Sequence, residues 1–414
     1  MDDCPAIGRD PARNRQRRQE RAKFASLLSE LMPYSASTMT SNAPPASRPL
    51  FVTVGDNPAR PFGMSAADRA NALAIKAKLD PAKEAQPGNS TVYADLNWGW
   101  DPEWLVALAE RPGSVLVKDG HPVLAHVPPH GDAAPLLAAM LSGDNYAGSL
   151  DQLDADVGDF SYRKLRKRER PFVMRLDPAD AEPVERASYD ASYKGVTDAL
   201  TLYLWRKLAF YLTRWAARAG MTPNLVTLIG FVFCVAAFFL FLEGWYWTGI
   251  AAGFIFMVLD TVDGKLARCT GQSSNWGNIF DHGVDLIHPP FWWWAWAEGL
   301  QAYGRPLERV YELMVIGAII VGYIAQRLIE GIFVRRFGMH IHVWQQVDSR
   351  FRLITARRNP NMVILVFCLA LGHPELGIEL VALWTILSLI FHAVRLAQAN
   401  ARRDRGQPVT SWLE

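Results

Sequence analysis

The sequence predicts an all-α membrane domain of six transmembrane helices, preceded by a small soluble α/β domain. Uneven charge, six apolar stretches and the spacing of the cysteines lead to this fold class. Over 414 residues, 43 Lys and Arg face 41 Asp and Glu, yet residues 225–242 contain no charged side chain. One soluble globule is thereby excluded, and a net charge of +2 gives no support to a nucleic-acid partner. Cys4, Cys234, Cys269 and Cys368 form no close pair, which excludes a disulfide scaffold and a zinc ribbon.

Residues 1–49 read as a disordered basic tail, Arg-rich and without the apolar run of a secretory signal, and Met39 is a second candidate start. Residues 50–180 read as the α/β unit. Leu50–Val54 is a β-rich run, Ser65 caps a helix through Leu79, and 91–96 is a second strand. Asp101-Pro102 opens a helix that ends near Pro112-Gly113. The runs 115–117 and 123–127 flank Asp119-Gly120 as a hairpin, and a helix follows at 132–142. The cluster Arg163, Lys164, Arg166, Lys167, Arg168 and Arg170 suits either an anionic lipid surface or a solvated helix face. Residues 184–219 read as one amphipathic helix lying in the membrane interface.

The spans are expected at about 224–242, 245–262, 277–298, 311–334, 361–374 and 376–397, with a tail from 401 to 414. Arg335, Arg336, Arg350, Arg352, Arg357 and Arg358 follow span four, and Arg402, Arg403 and Arg405 follow span six. The opposite side holds only Arg305 and Arg309, so both termini are expected on the cytoplasmic side. Trp245, Tyr246 and Trp247 then form an outer aromatic belt, and Phe291 with Trp292, Trp293, Trp294 and Trp296 reads as a lipid-facing anchor.

Carboxylates inside membrane helices are costly and mark functional sites. Asp260, Asp263, Gly264, Ala267 and Arg268 share one helical face, and Gly277, Asp281 and Asp285 share another. A short connection makes these two helices antiparallel neighbours, so four carboxylates are expected to converge. Their repulsion calls for divalent cations, and oxygen-only ligands favour two Mg²⁺ or Mn²⁺ ions. Gly264, Ala267 and Gly277 leave room for a nucleotide, and Arg268 suits a bidentate phosphate contact.

The pattern Asp260-x2-Asp263-Gly264-x2-Ala267-Arg268-x8-Gly277-x3-Asp281-x3-Asp285 resembles the full signature of the CDP-alcohol phosphotransferases, over about residues 188–400. The resemblance implies a six-helix integral membrane enzyme and a homodimer in contact with membrane lipids, with CMP displaced from a CDP-alcohol by an alcohol acceptor. It implies a multi-pass protein of the cell inner membrane with its site on the cytoplasmic face. It makes Asp260, Asp263 and Asp281 metal ligands and Asp285 a ligand or the general base. Asn224 and Thr227 after Pro223 resemble the family's nucleotide-contacting turn, and they also suit a simple helix start.

Arg327, Arg357 and Arg358 are candidates for holding a phosphate on the acceptor, with an Arg327–Glu330 pair as the structural alternative. CDP-diacylglycerol with an inositol-type or glycerol phosphate acceptor is the first expectation, in phospholipid synthesis. A soluble CDP-alcohol, or a catalytically inactive scaffold, are the alternatives. His340 and His342 are not read as a metal site, and His282 reads as packing or touching a head group. The N-terminal unit is similar in position to the inositol-phosphate cytidylyltransferase of di-inositol-phosphate synthase fusions. It has no Gly-rich phosphate loop, only Val54-Gly55-Asp56-Asn57-Pro58, and reads as non-catalytic.

Overall fold

The structure, a computed structural model, describes residues 48–157, 171–193, 196–272 and 274–413. Residues 1–47 of the basic tail and the cluster at 163–170 lie outside these.

The N-terminal unit starts with β1 (Leu50–Val54) and α1 (Ala66–Lys76), whose cap Ser65 accepts the Asp68 amide. The helix stops before Leu79 because Lys78 takes a φ of 62° and turns the chain into β2 (Asp80–Pro81). β3 (Thr91–Asp95), β4 (Trp98–Trp100) and α2 (Pro102–Ala109) follow, the last capped by Asp101. β5 (Ser114–Lys118) and β6 (His121–Val127) form the hairpin, with positive φ at both Asp119 and Gly120, as a two-residue turn requires. After α3 (Ala134–Ser142) come β7 (Asp151–Asp154) and β8 (Val173–Arg175).

Six strands form one mixed sheet in the order β2-β1-β3-β6-β5-β7, while β4 pairs with β8. Strand alternation sends Phe51, Val92, Leu116 and Leu124 under α1 and α2, and Val52, Val54, Tyr93 and Val115 under α3. The result is a three-layer α/β/α unit. The short strands β2, β4, β7 and β8 have too few residues for a readable alternation.

The stretch 184–219 is not one helix. It divides into α4 (Glu182–Ala191), a π-helical turn at Leu200–Leu204, and α5 (Arg206–Arg218). Asp198 restarts the chain there by accepting the Thr201 amide and hydroxyl, at 3.0 and 2.8 Å. In α5, Leu208, Tyr211 and Trp215 face outward while Phe210, Thr213 and Ala216 are buried, the division expected of a helix with an apolar outer stripe.

The C-terminal part is helical: α6 (Pro223–Leu242), α7 (Tyr246–Thr270), α8 (Asn275–Tyr303), α9 (Arg309–Phe337), α10 (Gln346–Arg352), α11 (Arg358–Ala370) and α12 (Pro374–Asp404). Three of these, α6, α9 and α12, are long and apolar enough to cross a membrane by length and composition among the described residues. In α7 and α8 the carboxylates lower the hydropathy, and α11 has only 13 residues.

The tryptophan run corrects the expectation of a lipid-facing anchor. Trp292, Trp293 and Trp296 are fully buried, and only Phe291 and Trp294 face outward. Helical periodicity divides the run between two faces. On the inner face, the indole N–H groups of Trp292 and Trp296 donate to the Cys234 and Pro374 carbonyls. Tyr246 stacks on Trp296 with ring centroids 4.1 Å apart, so of the expected outer belt only Trp245 and Trp247 are exposed.

Gly299 permits the close approach of α8 to the end of α6: a Cβ there would lie 1.9 Å from the Phe241 carbonyl oxygen. Gly299→Ala is therefore expected to cost about 3 kcal/mol or more. Gly317→Ala, a helical site with open space around it, should leave stability near wild type. Thermal unfolding of the detergent-solubilised variants checks this, and equal midpoints would contradict it.

Candidate active site

A cavity of about 480 Å³ opens where α7, α8, α9 and the start of α11 meet. Asp260, Gly264 and Arg268 of α7 line one wall, and Asp281 and Asp285 of α8 line the next. The four- and eight-residue spacings set these side chains in phase. One oxygen from each of Asp260, Asp281 and Asp285 lies within 4.8 Å of the others. The Arg358 guanidinium bridges two of them, at 2.8 Å from both Asp260 and Asp285. Three carboxylates against one guanidinium leave a net negative, oxygen-only donor set, which fits a hard divalent cation.

Asp263 lies outside that trio but interacts electrostatically with Asp260 and Asp281. It is 3% exposed and accepts the Thr227 hydroxyl and the Gly264 amide, both at 2.5 Å. The four-carboxylate convergence expected from the sequence is thus three carboxylates plus a fourth held by α6. Asn224 packs on Gly277 so closely that a Cβ there would lie 2.2 Å from its Oδ1. Asn224 and Thr227 therefore tie α6 to α8 and α7 respectively. Gly264 faces Arg268, with 3.0 Å between a Cβ placed there and Nη2. The Ala267 carbonyl accepts from Lys76 Nζ at 2.7 Å.

Arginines form a second wall. Arg327 and Arg357 both reach Glu330, at 2.9 and 2.7 Å, so the Arg327–Glu330 pair exists and both arginines still line the cavity. Arg352, at the end of α10, lines the same wall, and its Nη1 is buried without a hydrogen-bond partner. Nε of Arg327 and of Arg357 are likewise buried and unpaired. Three guanidinium groups against the carboxylates of Glu330 and Asp198, with donors left over, form a site for an anion.

Sequence reasoning missed several of these residues. Arg352 registers there only as one charge of a cytoplasmic loop. Asp198, Thr201 and Asn359 also line the cavity, with Asn359 Nδ2 2.9 Å from Asp198, although 161 positions separate them. His282 does not pack away from the site: it lies 3.5 Å from Asp281 Oδ2 and lines the cavity. His342 is in a 3-10 turn, yet it reaches a buried group with Glu330 and His392. The Glu330 carboxylate in that group is already held by Arg327 and Arg357, which argues against a cation there.

Residues 220–389, which include every signature position, match the family model described as CDP-alcohol phosphatidyltransferase. The chain carries a CDP-alcohol phosphatidyltransferase domain. Relatives of this domain include an uncharacterised CDP-alcohol phosphatidyltransferase class-I family protein of Schizosaccharomyces pombe, 40% identical over 28% of this chain and 33% of that protein. The phosphatidylinositol phosphate synthase of Cutibacterium acnes is 35% identical over 20% of this chain and 40% of its own. The archaetidylinositol phosphate synthase of Pyrococcus horikoshii is 29% identical over 46% of this chain and 89% of its own. The chain spans about a third of the length of the first of these curated relatives. The crystal structure of Mycobacterium tuberculosis phosphatidylinositol phosphate synthase with CDP-DAG bound aligns at a TM-score of 0.37 and 18% identity, over 46% of this chain and 94% of that one.

Proposed function

We propose that the protein is a membrane-embedded transferase that moves a phosphoalcohol group from a CDP-alcohol to a hydroxyl acceptor and releases CMP. The observation that carries this reading is a single cavity with a trio of carboxylates on one wall and three under-neutralised arginines on the other. Asp260, Asp263 and Asp281 would hold two Mg²⁺ or Mn²⁺ ions, with Asp285 beside them as the general base or a further ligand. Such ions hold a diphosphate and neutralise charge on the leaving group.

The protein's own residues supply the rest. Arg268 faces the donor's diphosphate, and Asn224, Thr227, Gly264, Ala267 and Gly277 shape the nucleotide's place between α6, α7 and α8. The acceptor oxygen forms a bond to the phosphorus carrying the alcohol, and the bond from that phosphorus to the CMP oxygen breaks. Asp285 takes the proton from the acceptor hydroxyl, and CMP leaves with the bonding electron pair. Arg327, Arg352 and Arg357 hold a phosphate borne by the acceptor. Arg358, engaged with Asp260 and Asp285, orients the carboxylates.

A lipid donor is favoured by a groove of about 630 Å³ between α6 and α8. Its wall is apolar, with Phe231, Phe238, Ile279, Phe280 and Phe291 among the lining residues. Phe231 and Phe280 stand two turns and one turn beyond Asn224 and Gly277, so an acyl chain entering there leads away from the nucleotide end. CDP-diacylglycerol with glycerol phosphate or inositol phosphate as acceptor is the preferred pair, in phospholipid synthesis. In this reading six helices span the inner membrane of a homodimer with both termini and the site on the cytoplasmic side, and the N-terminal unit is non-catalytic.

The test uses purified protein with labelled CDP-diacylglycerol, Mg²⁺ or Mn²⁺, and a panel of acceptors. A labelled lipid product and CMP are expected with a phosphate-bearing polyol. A soluble product from a soluble CDP-alcohol alone would replace the donor assignment. No CMP release with any CDP donor would make the protein a scaffold.

A further inference from the structure

We propose that the N-terminal α/β unit positions the transferase site, with Arg69 acting through the last turn of α7. Arg69 belongs to α1 and is 3% exposed. Its Nε donates to the Cys269 carbonyl at 3.1 Å, and its Nη2 donates to the Ser188 hydroxyl of α4 at 2.9 Å. Two turns along α1, Lys76 Nζ donates to the Ala267 carbonyl. The two tethered carbonyls flank Arg268, which lines the cavity.

The last carbonyls of a helix have no partner within it and form the negative end of its dipole. Two cations from α1 meet that need at the end of α7. The contact is close as well as polar: at Gly271, where φ is 78° and the helix ends, a Cβ would lie 2.8 Å from the Ala72 Cβ. A buried guanidinium directed at a carbonyl fixes the direction of the last turn, and with it the direction in which Arg268 leaves the helix.

Hydrogen bonds of α1 thus reach the residues on both sides of the one arginine that α7 contributes to the cavity. The sheet can serve the reaction without binding a nucleotide itself. Arg69 is a positioning residue, and the group it positions is Arg268. The inference rests on the proposed function in taking the ligand of Arg268 to be the diphosphate of the donor.

The experiment compares the full-length wild type with Arg69→Ala, Arg69→Lys and Lys76→Ala. It measures CDP binding by calorimetry in Mg²⁺, kcat and KM for donor and acceptor, and thermal midpoints. Arg69→Ala is expected to weaken CDP binding and raise the donor KM by about 10-fold, with the acceptor KM within about 2-fold of wild type. Arg69→Lys should recover most of the loss, because it keeps a buried donor for the Cys269 carbonyl.

Unchanged CDP binding in Arg69→Ala would overturn the proposal. Donor and acceptor parameters worsening together with a fallen midpoint would do the same, since that is loss of structure. If Arg69→Ala does not fold, Lys76→Ala decides, being at the exposed rim: about 3-fold weaker CDP binding is expected, and no change would overturn the idea. A wild type that binds CDP but releases no CMP would end the proposed transferase activity and leave this inference intact. A wild type that binds no CDP would end both.

Discussion

Asp285→Asn is expected to bind CDP-alcohol normally and to lose about 10²- to 10⁴-fold in turnover, the range for removal of a general base. Asp285 is the most exposed of the three clustered carboxylates, with 46% of its side chain accessible, so an acceptor hydroxyl can reach it. Asparagine keeps the shape and leaves an oxygen for the Arg358 Nη1 donor now 2.8 Å away. What it cannot do is take a proton. Single-turnover CMP release measures the chemical step, and calorimetry with Mg²⁺ and CDP measures binding. A variant that turns over at the wild-type rate would remove the base assignment. A variant that fails to bind Mg²⁺ would make Asp285 a ligand instead.

Arg352→Ala is expected to raise the KM for a phosphate-bearing acceptor by about 10- to 100-fold, with the donor KM unchanged. The range corresponds to one charge-assisted hydrogen bond of about 1.5–3 kcal/mol. Arg352 carries the prediction because, unlike Arg327 and Arg357, it makes no ion pair with Glu330. The buried carboxylate of Asp198, on which Arg352 acts, keeps its Thr201 and Asn359 donors when the arginine is removed, so the loss reports on substrate rather than on folding. Arg352→Lys should restore only part, since a point charge replaces a planar fork. If wild type and Arg352→Ala have the same acceptor KM, the arginine wall does not hold the acceptor.

Much of this could be read from the sequence, for a physical reason. Asp260, Asp263, Asp281 and Asp285 are dictated by helical phase, and phase is local: spacings of three and four put each pair on one helical face with no knowledge of the fold. The hairpin at Asp119-Gly120 is local in the same way. The tryptophan run shows where local reasoning stops. Composition marks Trp292, Trp293 and Trp296 as interfacial, yet they are buried because α6 and α12 supply the Cys234 and Pro374 carbonyls for two of their N–H groups.

Other features depend on contacts across the chain and leave no pattern to find. Asp263 is held by the hydroxyl of Thr227, 36 positions earlier. Arg69 meets Cys269 across 200 positions. Arg352 is one arginine among several in its loop until α9 and α11 are packed beside it.

Helix α8 is a partition wall. Asp281, Asp285 and Pro289 border the polar chamber, while Gly283, Ile287 and Phe291 border the oily channel on its other side. Neighbouring residues on such a helix are rotated by about 100°. Losing one residue just before Asp281 would leave composition and hydropathy almost untouched, yet carry the downstream acids to the positions that Phe280 and Val284 now hold, on the oily side. The acids therefore set a lower limit on the length of this rod, because the loss of a single residue at that point exchanges one compartment for the other.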